Sequence, residues 1–179
     1  MSATHHLFGV TRFLLRLATL FSLFLIAVLS LAAGALALAA AGFWHLPVPD
    51  LKELSGIPVG EIIAVASLAI VTGVICIALA AYMFLLTARI IDTAQSGDPF
   101  VTENANRLKL IAWLLLAIQV IGSVADALAN MLPDKIKDHA QIGFNGFSAS
   151  GILAVLLIFV LAQIFRRGSE MRAELEGTV

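Results

Sequence analysis

The feature that most constrains this sequence is a series of four long apolar runs, at residues 17–43, 62–88, 110–128 and 147–165. Each run is close to or above the roughly 20 residues that an α-helix needs to cross the hydrocarbon of a bilayer. Lipid offers no hydrogen-bond partner to a bare backbone, so runs of this length fold as transmembrane helices. The sequence therefore predicts an all-α integral membrane protein with four transmembrane helices, forming a single membrane domain over residues 1–179.

The composition agrees with this class and excludes others. The chain is 60% hydrophobic and 13% charged, which is outside the range of soluble domains. Its formal net charge of −1 argues against direct nucleic-acid binding, and the single cysteine cannot form an internal disulfide. No residue pattern indicates a cofactor or a metal site, so the lipid bilayer is the first partner that we expect.

The first apolar run has one alternative interpretation, a cleaved signal peptide, because Ala35 and Ala37 have the small-residue spacing of a cleavage site. A signal peptide usually has an apolar core of about 7–15 residues, and this run is longer. We therefore interpret it as a span. Residues 1–16, with Arg12 and Arg16, are predicted to be an amphipathic segment at the membrane surface.

Small residues recur along one face of each of the first two runs, and small residues let helix backbones approach closely in lipid. The two sets are predicted to meet each other inside the protein or to form a homo-oligomer contact: Ser30, Gly34, Ala37 and Ala41 in the first run; Ala69, Gly73, Cys76 and Ala80 in the second.

The distribution of basic residues predicts the orientation in the membrane. Eight of the 11 lysines and arginines lie before the first run, in the loop between the second and third runs, or after the fourth run. Basic residues concentrate in cytoplasmic loops. Both termini and the 89–109 loop are therefore predicted to be cytoplasmic, and Arg89 and Asp92 are spaced to pair at the end of the second span.

The loop before the third run contains strong local signals. Asp98-Pro99 predicts a turn, Thr102 is a predicted helix N-cap, and Glu103 lies where the helix dipole favours an acid. The charged tail at residues 166–179 has apolar residues on one face, which predicts a short amphipathic cytoplasmic helix.

The third run is the only one with a polar stripe. Polar groups are costly in hydrocarbon, so this stripe is predicted to face the bundle interior or a wet cavity. Asp126 is predicted to reach Lys135 or Lys137 of the following loop. The stripe has a spacing of four, three and four residues and consists of Gln119, Ser123, Asp126 and Asn130.

Two segments, GDPFVTENANRLKLIAWLLLAIQ and AQIFRRGSEMRAELEGTV, resemble the uncharacterised bacterial membrane-protein family known as domain of unknown function 2975. The resemblance extends over nearly the whole chain and implies four spans but no established activity. It also implies a small helix-turn-helix transcription regulator as the partner that such a protein restrains or senses for. The matching positions are Gly97, Pro99, Phe100, Glu103, Asn104, Arg107 and Leu108, with Phe165, Arg166, Gly168, Arg172, Leu175 and Glu176.

We expect the two segments to meet on the cytoplasmic side. Glu103 and Asn104 are predicted to contact arginines 166, 167 or 172, and Phe100 to pack against the tail. The candidate contact site is Pro99, Phe100, Glu103, Asn104, Arg107, Arg166 and Arg172.

Three function classes follow from these patterns. The first is a non-enzymatic protein of the bacterial inner membrane that acts through cytoplasmic protein contacts. The second is a small oligomeric transporter or channel that uses the polar stripe of the third run. The third, an enzyme, is not expected, because the sequence has none of the nucleophile-elbow, zinc-protease or P-loop motifs.

Overall fold

The computed structural model describes residues 2–41, 59–130 and 148–176 and contains four long helices. These are α1 (Ser2–Ala40), α2 (Val59–Gln95), α3 (Thr102–Asn130) and α4 (Ala149–Glu176). All four are long and apolar enough to cross a membrane, and the described part of the chain has no strand. The prediction of an all-α protein with four membrane-spanning helices is confirmed, and the chain is a multi-pass membrane protein.

The helices extend beyond the apolar runs. α1 has 39 residues and α2 has 37, which at about 1.5 Å per residue makes each longer than the roughly 30 Å hydrocarbon layer. The predicted amphipathic segment before the first span is the beginning of α1, without a break. α1 and α2 are therefore long enough to extend beyond the hydrocarbon.

α4 also continues without a break from the fourth apolar run into the charged tail. Residues 166–176 of the tail form the last turns of α4, so the separate short amphipathic helix that was predicted is not confirmed. Arginine, glutamate, methionine and alanine all have high helix propensity, so the backbone has no reason to stop where the hydropathy falls.

The helices pack in chain order, α1 on α2, α2 on α3 and α3 on α4. Large apolar side chains are exposed on every helix, including Phe24 on α1, Val71 on α2, Trp113 on α3 and Leu157 on α4. Exposed apolar area of this extent matches a protein whose surrounding solvent is lipid.

The predicted contact between the two stripes of small residues is wrong on the α1 side. Ser30, Gly34 and Ala37 are exposed, and a Cβ added to Gly34 would meet nothing within 4 Å. On α2, a Cβ added to Gly73 would lie 3.9 Å from Leu29 Cδ1 of α1. A large side chain faces a small one here, because that pairing fills the space between two helices.

One end of the molecule carries the loop at residues 96–101, and we call it the loop end. Arg12 of α1 lies 2.6 Å from the carboxylate of Asp92 at the end of α2. Asp92 thus pairs with the neighbouring helix, whereas its sequence spacing predicted a pair with Arg89. The beginning of α1 is therefore at the same end as the loop.

The segments at residues 42–58 and 131–147 lie outside the described residues, so the predicted pairing of Asp126 with Lys135 or Lys137 is not tested.

Candidate contact site at the loop end

The loop begins where α2 is stopped by Gly97. This glycine has a φ of +92°, and its amide donates to the carbonyl of Ala94 at 3.3 Å. The amide of Asp98 donates to the carbonyl of Thr93 at 3.2 Å. This pair of bonds is a Schellman cap, and Pro99 follows where a proline prevents the helix from resuming. The predicted turn at Asp98-Pro99 is thus the end of a helix cap.

Asn104 holds the loop together from inside. Its side chain is 0% exposed. Its Nδ2 donates to Thr93 Oγ1 at 2.7 Å and to the Pro99 carbonyl at 2.9 Å, and its Oδ1 accepts from Arg107 Nη1 at 2.7 Å. One buried amide therefore ties the end of α2, the turn and the beginning of α3 to one another.

These bonds correct two predictions. Asn104 does not bind an arginine of the tail, because both of its donor bonds go to α2 and the turn, and its oxygen is bound by Arg107. Thr102 is the first residue of α3, and the amide of Asn104 donates to the carbonyl of Val101, so the cap is one residue earlier. The Thr102 hydroxyl instead lies 3.5 Å from Ser169 Oγ on α4.

Phe100 joins the loop to α4. Its ring centroid is 5.2 Å from that of Phe165, with the planes tilted by 43°. A Cβ added to Gly168 would lie 2.7 Å from Phe100 Cδ1, so only glycine lets the ring approach α4 this closely. Phe100 therefore packs against α4, and Gly168 provides the space.

An ion pair between Asp98 and Arg172 makes the second link between the loop and α4. The sequence predicted that Glu103 and Asn104 would contact these arginines, whereas the carboxylate that pairs with Arg172 is that of Asp98. Arg166 pairs within α4, with its Nε 3.1 Å from Glu170 Oε1. The two segments thus meet, but through a different carboxylate.

A groove of about 250 Å³ opens between the loop and the end of α4. Asp98, Thr102 and Arg172 contribute to its walls, Glu103 is exposed at its side, and Phe100 is 43% exposed. The groove thus presents one aromatic ring and both signs of charge.

The predicted polar stripe of α3 is only partly turned inward. Gln119, Ser123 and Asp126 are half-buried, and Asn130 is exposed. The buried positions in this part of α3 are Gly122 and Ala125, each one position away from a member of the stripe. Ser123 donates to the Gln119 carbonyl at 2.9 Å, a bond within the helix.

Gln119 is the notable member of this stripe. Its Oε1 and Nε2 are both buried and have no hydrogen-bond partner among the described residues. The side chain lies against Gly151 of α4, where an added Cβ would clash with it.

Sequence reasoning missed two residues of the loop end. Thr93 gave no signal, because a threonine near a helix end commonly bonds its own backbone, which its hydroxyl also does here with the Ile90 carbonyl at 2.8 Å. Asp98 did give a signal, but the Asp-Pro pair was interpreted as backbone turn chemistry alone. Its pairing with Arg172, far away in the chain, could not be inferred from spacing.

Comparison with known families gives one result. Residues 41–179 match the model of a family described as "Protein of unknown function (DUF2975)". The match includes the 96–101 loop and α2 to α4, and the whole of α1 precedes it, so it is shorter than the near-complete resemblance predicted. No curated protein and no solved structure matches this chain.

Proposed function

This chain belongs to the DUF2975 family, whose function is unknown, and we propose that it is a non-enzymatic membrane protein that binds a protein partner at its loop end. The proposal rests on one observation: contacts between all four helices and the loop hold this end together around an open groove. Ion pairs connect α1 to α2 and the loop to α4, and a buried amide connects α2 to α3. A pre-formed surface loses little conformational entropy on binding.

We assign the loop end to the cytoplasm of a bacterial cell, with the helices in the inner membrane. Arg12, Arg89, Arg107, Lys109 and the arginines of α4 all belong to this end of their helices. Such an excess of cations favours the cytoplasmic side. Both termini are cytoplasmic in this assignment.

The groove suggests the chemistry of the partner. Glu103 forms no ion pair with the described residues, and it is exposed beside the half-exposed ring of Phe100. An unpaired acid next to an aromatic ring suits a partner that offers a basic residue beside an apolar one. A small helix-turn-helix regulator, the partner that the family resemblance implied, has the basic surface that this chemistry requires.

The test is co-expression with a small helix-turn-helix regulator chosen from the same genome, followed by purification of the membrane protein and quantification of bound regulator. Glu103→Lys and Phe100→Ala should each lower capture at least tenfold. Met171→Lys is the matched control, since it places a lysine at a nearby exposed position outside the groove.

Folding is measured separately, by thermal unfolding in detergent. Loss of capture by Glu103→Lys with an unchanged unfolding midpoint supports the proposal. Equal capture by Glu103→Lys and the parent chain contradicts it. Arg107→Glu is unsuitable as the main variant, because Arg107 also holds Asn104 and would alter folding directly.

A second candidate function, a small oligomeric transporter or channel, is favoured by one observation: the amide of Gln119 has no hydrogen-bond partner within the described part of the chain. A polar group without a partner in the hydrocarbon is costly, so water, a permeant solute or another copy of the chain would stabilise it. Flux through proteoliposomes that falls in Asp126→Asn and Gln119→Leu would support this function, whereas absence of flux in the parent chain would exclude it.

A further inference from the structure

A second crevice, separate from the groove, opens between α3 and α4 on the membrane side of the loop end. It has a volume of about 130 Å³ and a floor of small residues, Ala105 and Ala162. Its polar walls come from both helices: Asn106 and Lys109 of α3 and Gln163 and Arg166 of α4. Two cations and two amides therefore converge on one space.

Both cations have capacity left for an anion. Lys109 forms no ion pair with the described residues. Arg166 pairs with Glu170 through Nε, and this pair is well exposed, which leaves the two terminal nitrogens of the guanidinium for another acceptor. Exposed ion pairs of this kind are weak, so Glu170 does not compete strongly.

The crevice changes from polar to apolar along its length. Phe159 lines its membrane side, and its ring meets Trp113 edge to face with centroids 5.5 Å apart. Trp113 is one turn beyond Lys109, deeper by about 6 Å, and it is 54% exposed. Tryptophan is favoured at the level of the lipid headgroups, with its ring along the upper acyl chains.

We propose that this crevice binds an anionic phospholipid, with the phosphate held by Lys109 and Arg166 and the acyl chains along Trp113 and Phe159. Basic pockets between transmembrane helices on the cytoplasmic side hold anionic headgroups in this manner. Asn106 and Gln163 can donate to the headgroup oxygens. The site is distinct from the partner groove and does not depend on the protein contacts proposed above.

A lipid is a better match than a soluble phosphate. A soluble anion would contact only the cations and amides. The aromatic pair directly below them would contact the ligand only if the ligand continues into the hydrocarbon. The crevice is also open on the exposed side of both helices, where Lys109, Gln163 and Trp113 are exposed, so a lipid can enter laterally from the bilayer.

The experiment uses the fluorescence of Trp113. The chain has two tryptophans, so Trp44→Phe leaves Trp113 as the single reporter. The protein is reconstituted in vesicles in which brominated phosphatidylglycerol or brominated phosphatidylcholine, at equal mole fraction, quenches a tryptophan that it touches. We expect stronger quenching by the anionic lipid, and a preference that falls about fivefold when either cation is neutralised, as in Lys109→Gln or Arg166→Gln.

Arg167→Gln is the matched control, because it removes an exposed cation next to Arg166 that does not line the crevice. It should retain the preference of the parent. Equal quenching by both lipids in the parent, or an equal loss in the Arg167→Gln control, would overturn the proposal. If a crevice variant fails to fold, the lipids retained by the parent chain are measured by native mass spectrometry. Equal retention of phosphatidylcholine and phosphatidylglycerol would contradict the proposal.

A last arm separates lipid from soluble phosphate. Glycerol phosphate is added to the protein in a neutral detergent that carries a low level of brominated phosphatidylglycerol. Because the acyl chains contribute to binding, millimolar glycerol phosphate should not relieve the quenching. Full relief at matched ionic strength would assign the site to soluble phosphates and overturn the lipid proposal.

Discussion

Asn104 shows how much a single buried amide can determine. It has no exposed surface, and it uses both of its donors and its acceptor on three different segments. A buried polar side chain is favourable only when its hydrogen bonds are made. The hydrogen bonds of Asn104 therefore fix its position, as close packing fixes the position of an apolar core residue.

Replacing Asn104 should destabilise the protein more than its size suggests. In Asn104→Ala, the Pro99 carbonyl and the Arg107 guanidinium each lose a hydrogen bond, and we expect a loss of about 2–4 kcal/mol in unfolding free energy. The measurement is reversible unfolding in mixed micelles. The exposed Asn106→Ala is the control, and a loss of the same size there would contradict the role assigned to Asn104.

Gly168 and Phe100 form a pair whose coupling can be measured. In Gly168→Ala the new methyl would lie 2.7 Å from the Phe100 ring, so the ring must move away from Phe165. We expect the unfolding free energy to fall by about 1–3 kcal/mol. In a Phe100→Ala background the same change should be neutral or stabilising, because alanine exceeds glycine in helix propensity by up to about 1 kcal/mol.

A double-mutant cycle gives this result directly. The sign of the Gly168→Ala effect should depend on whether Phe100 is present. Equal effects in the two backgrounds would mean that the ring and α4 are not in contact in the membrane.

At the scale of single residues, the sequence predicted the contact of Phe100 with the tail and the meeting of the two segments. It did not predict that Asp98 binds Arg172, because any of several neighbouring acceptors could reach an arginine and only the direction of the turn selects among them. Asn104 was singled out by resemblance, but its partner Thr93 depends on the angle at which α2 meets α3.

At the scale of elements, hydropathy predicted the four spans but not the ends of the helices. Apolar runs report where the chain leaves water, whereas helix ends depend on caps and propensity. α2 therefore continues to Gln95, where the Gly97 cap stops it, and α4 continues to Glu176 because its charged residues favour the helix.

The Gly97 cap gives a prediction with an internal control. Gly97 has a φ of +92°, and an added Cβ would meet nothing within 4 Å. Gly97→Ala should therefore lower the unfolding free energy only by the cost of placing alanine in the left-handed conformation, about 1–2 kcal/mol. Gly34 also has open space, but it lies within α1, so Gly34→Ala should be neutral or stabilising. The unfolding midpoint of Gly97→Ala should therefore fall, whereas that of Gly34→Ala should stay the same or rise, and equal destabilisation of both would contradict this account of the cap.

At the scale of the whole molecule, the contacts of Arg12 with Asp92 and of Arg172 with Asp98 bring the beginning of α1 and the end of α4 to the same side as the loop. Sequence patterns could predict this common side from the even number of spans. They could not predict that the helices pack in chain order, because each helix has apolar residues all around it and the pattern does not select a neighbour.

The orientation that we propose for the molecule rests on the distribution of its charges, and it can be measured with single cysteines. Cys76→Ala removes the only native thiol, and Ser96→Cys and Ala41→Cys then place one thiol at each end, both at exposed positions. A membrane-impermeant maleimide added to spheroplasts should label Ala41→Cys and should label Ser96→Cys only after lysis, because the cations of the loop end stay on the cytoplasmic side. A third thiol, in Gly9→Cys, should behave as Ser96→Cys does, since Arg12 holds that part of α1 at the loop end. Labelling of Ser96→Cys in intact spheroplasts would reverse the orientation and remove the partner groove from the compartment in which a transcription regulator acts.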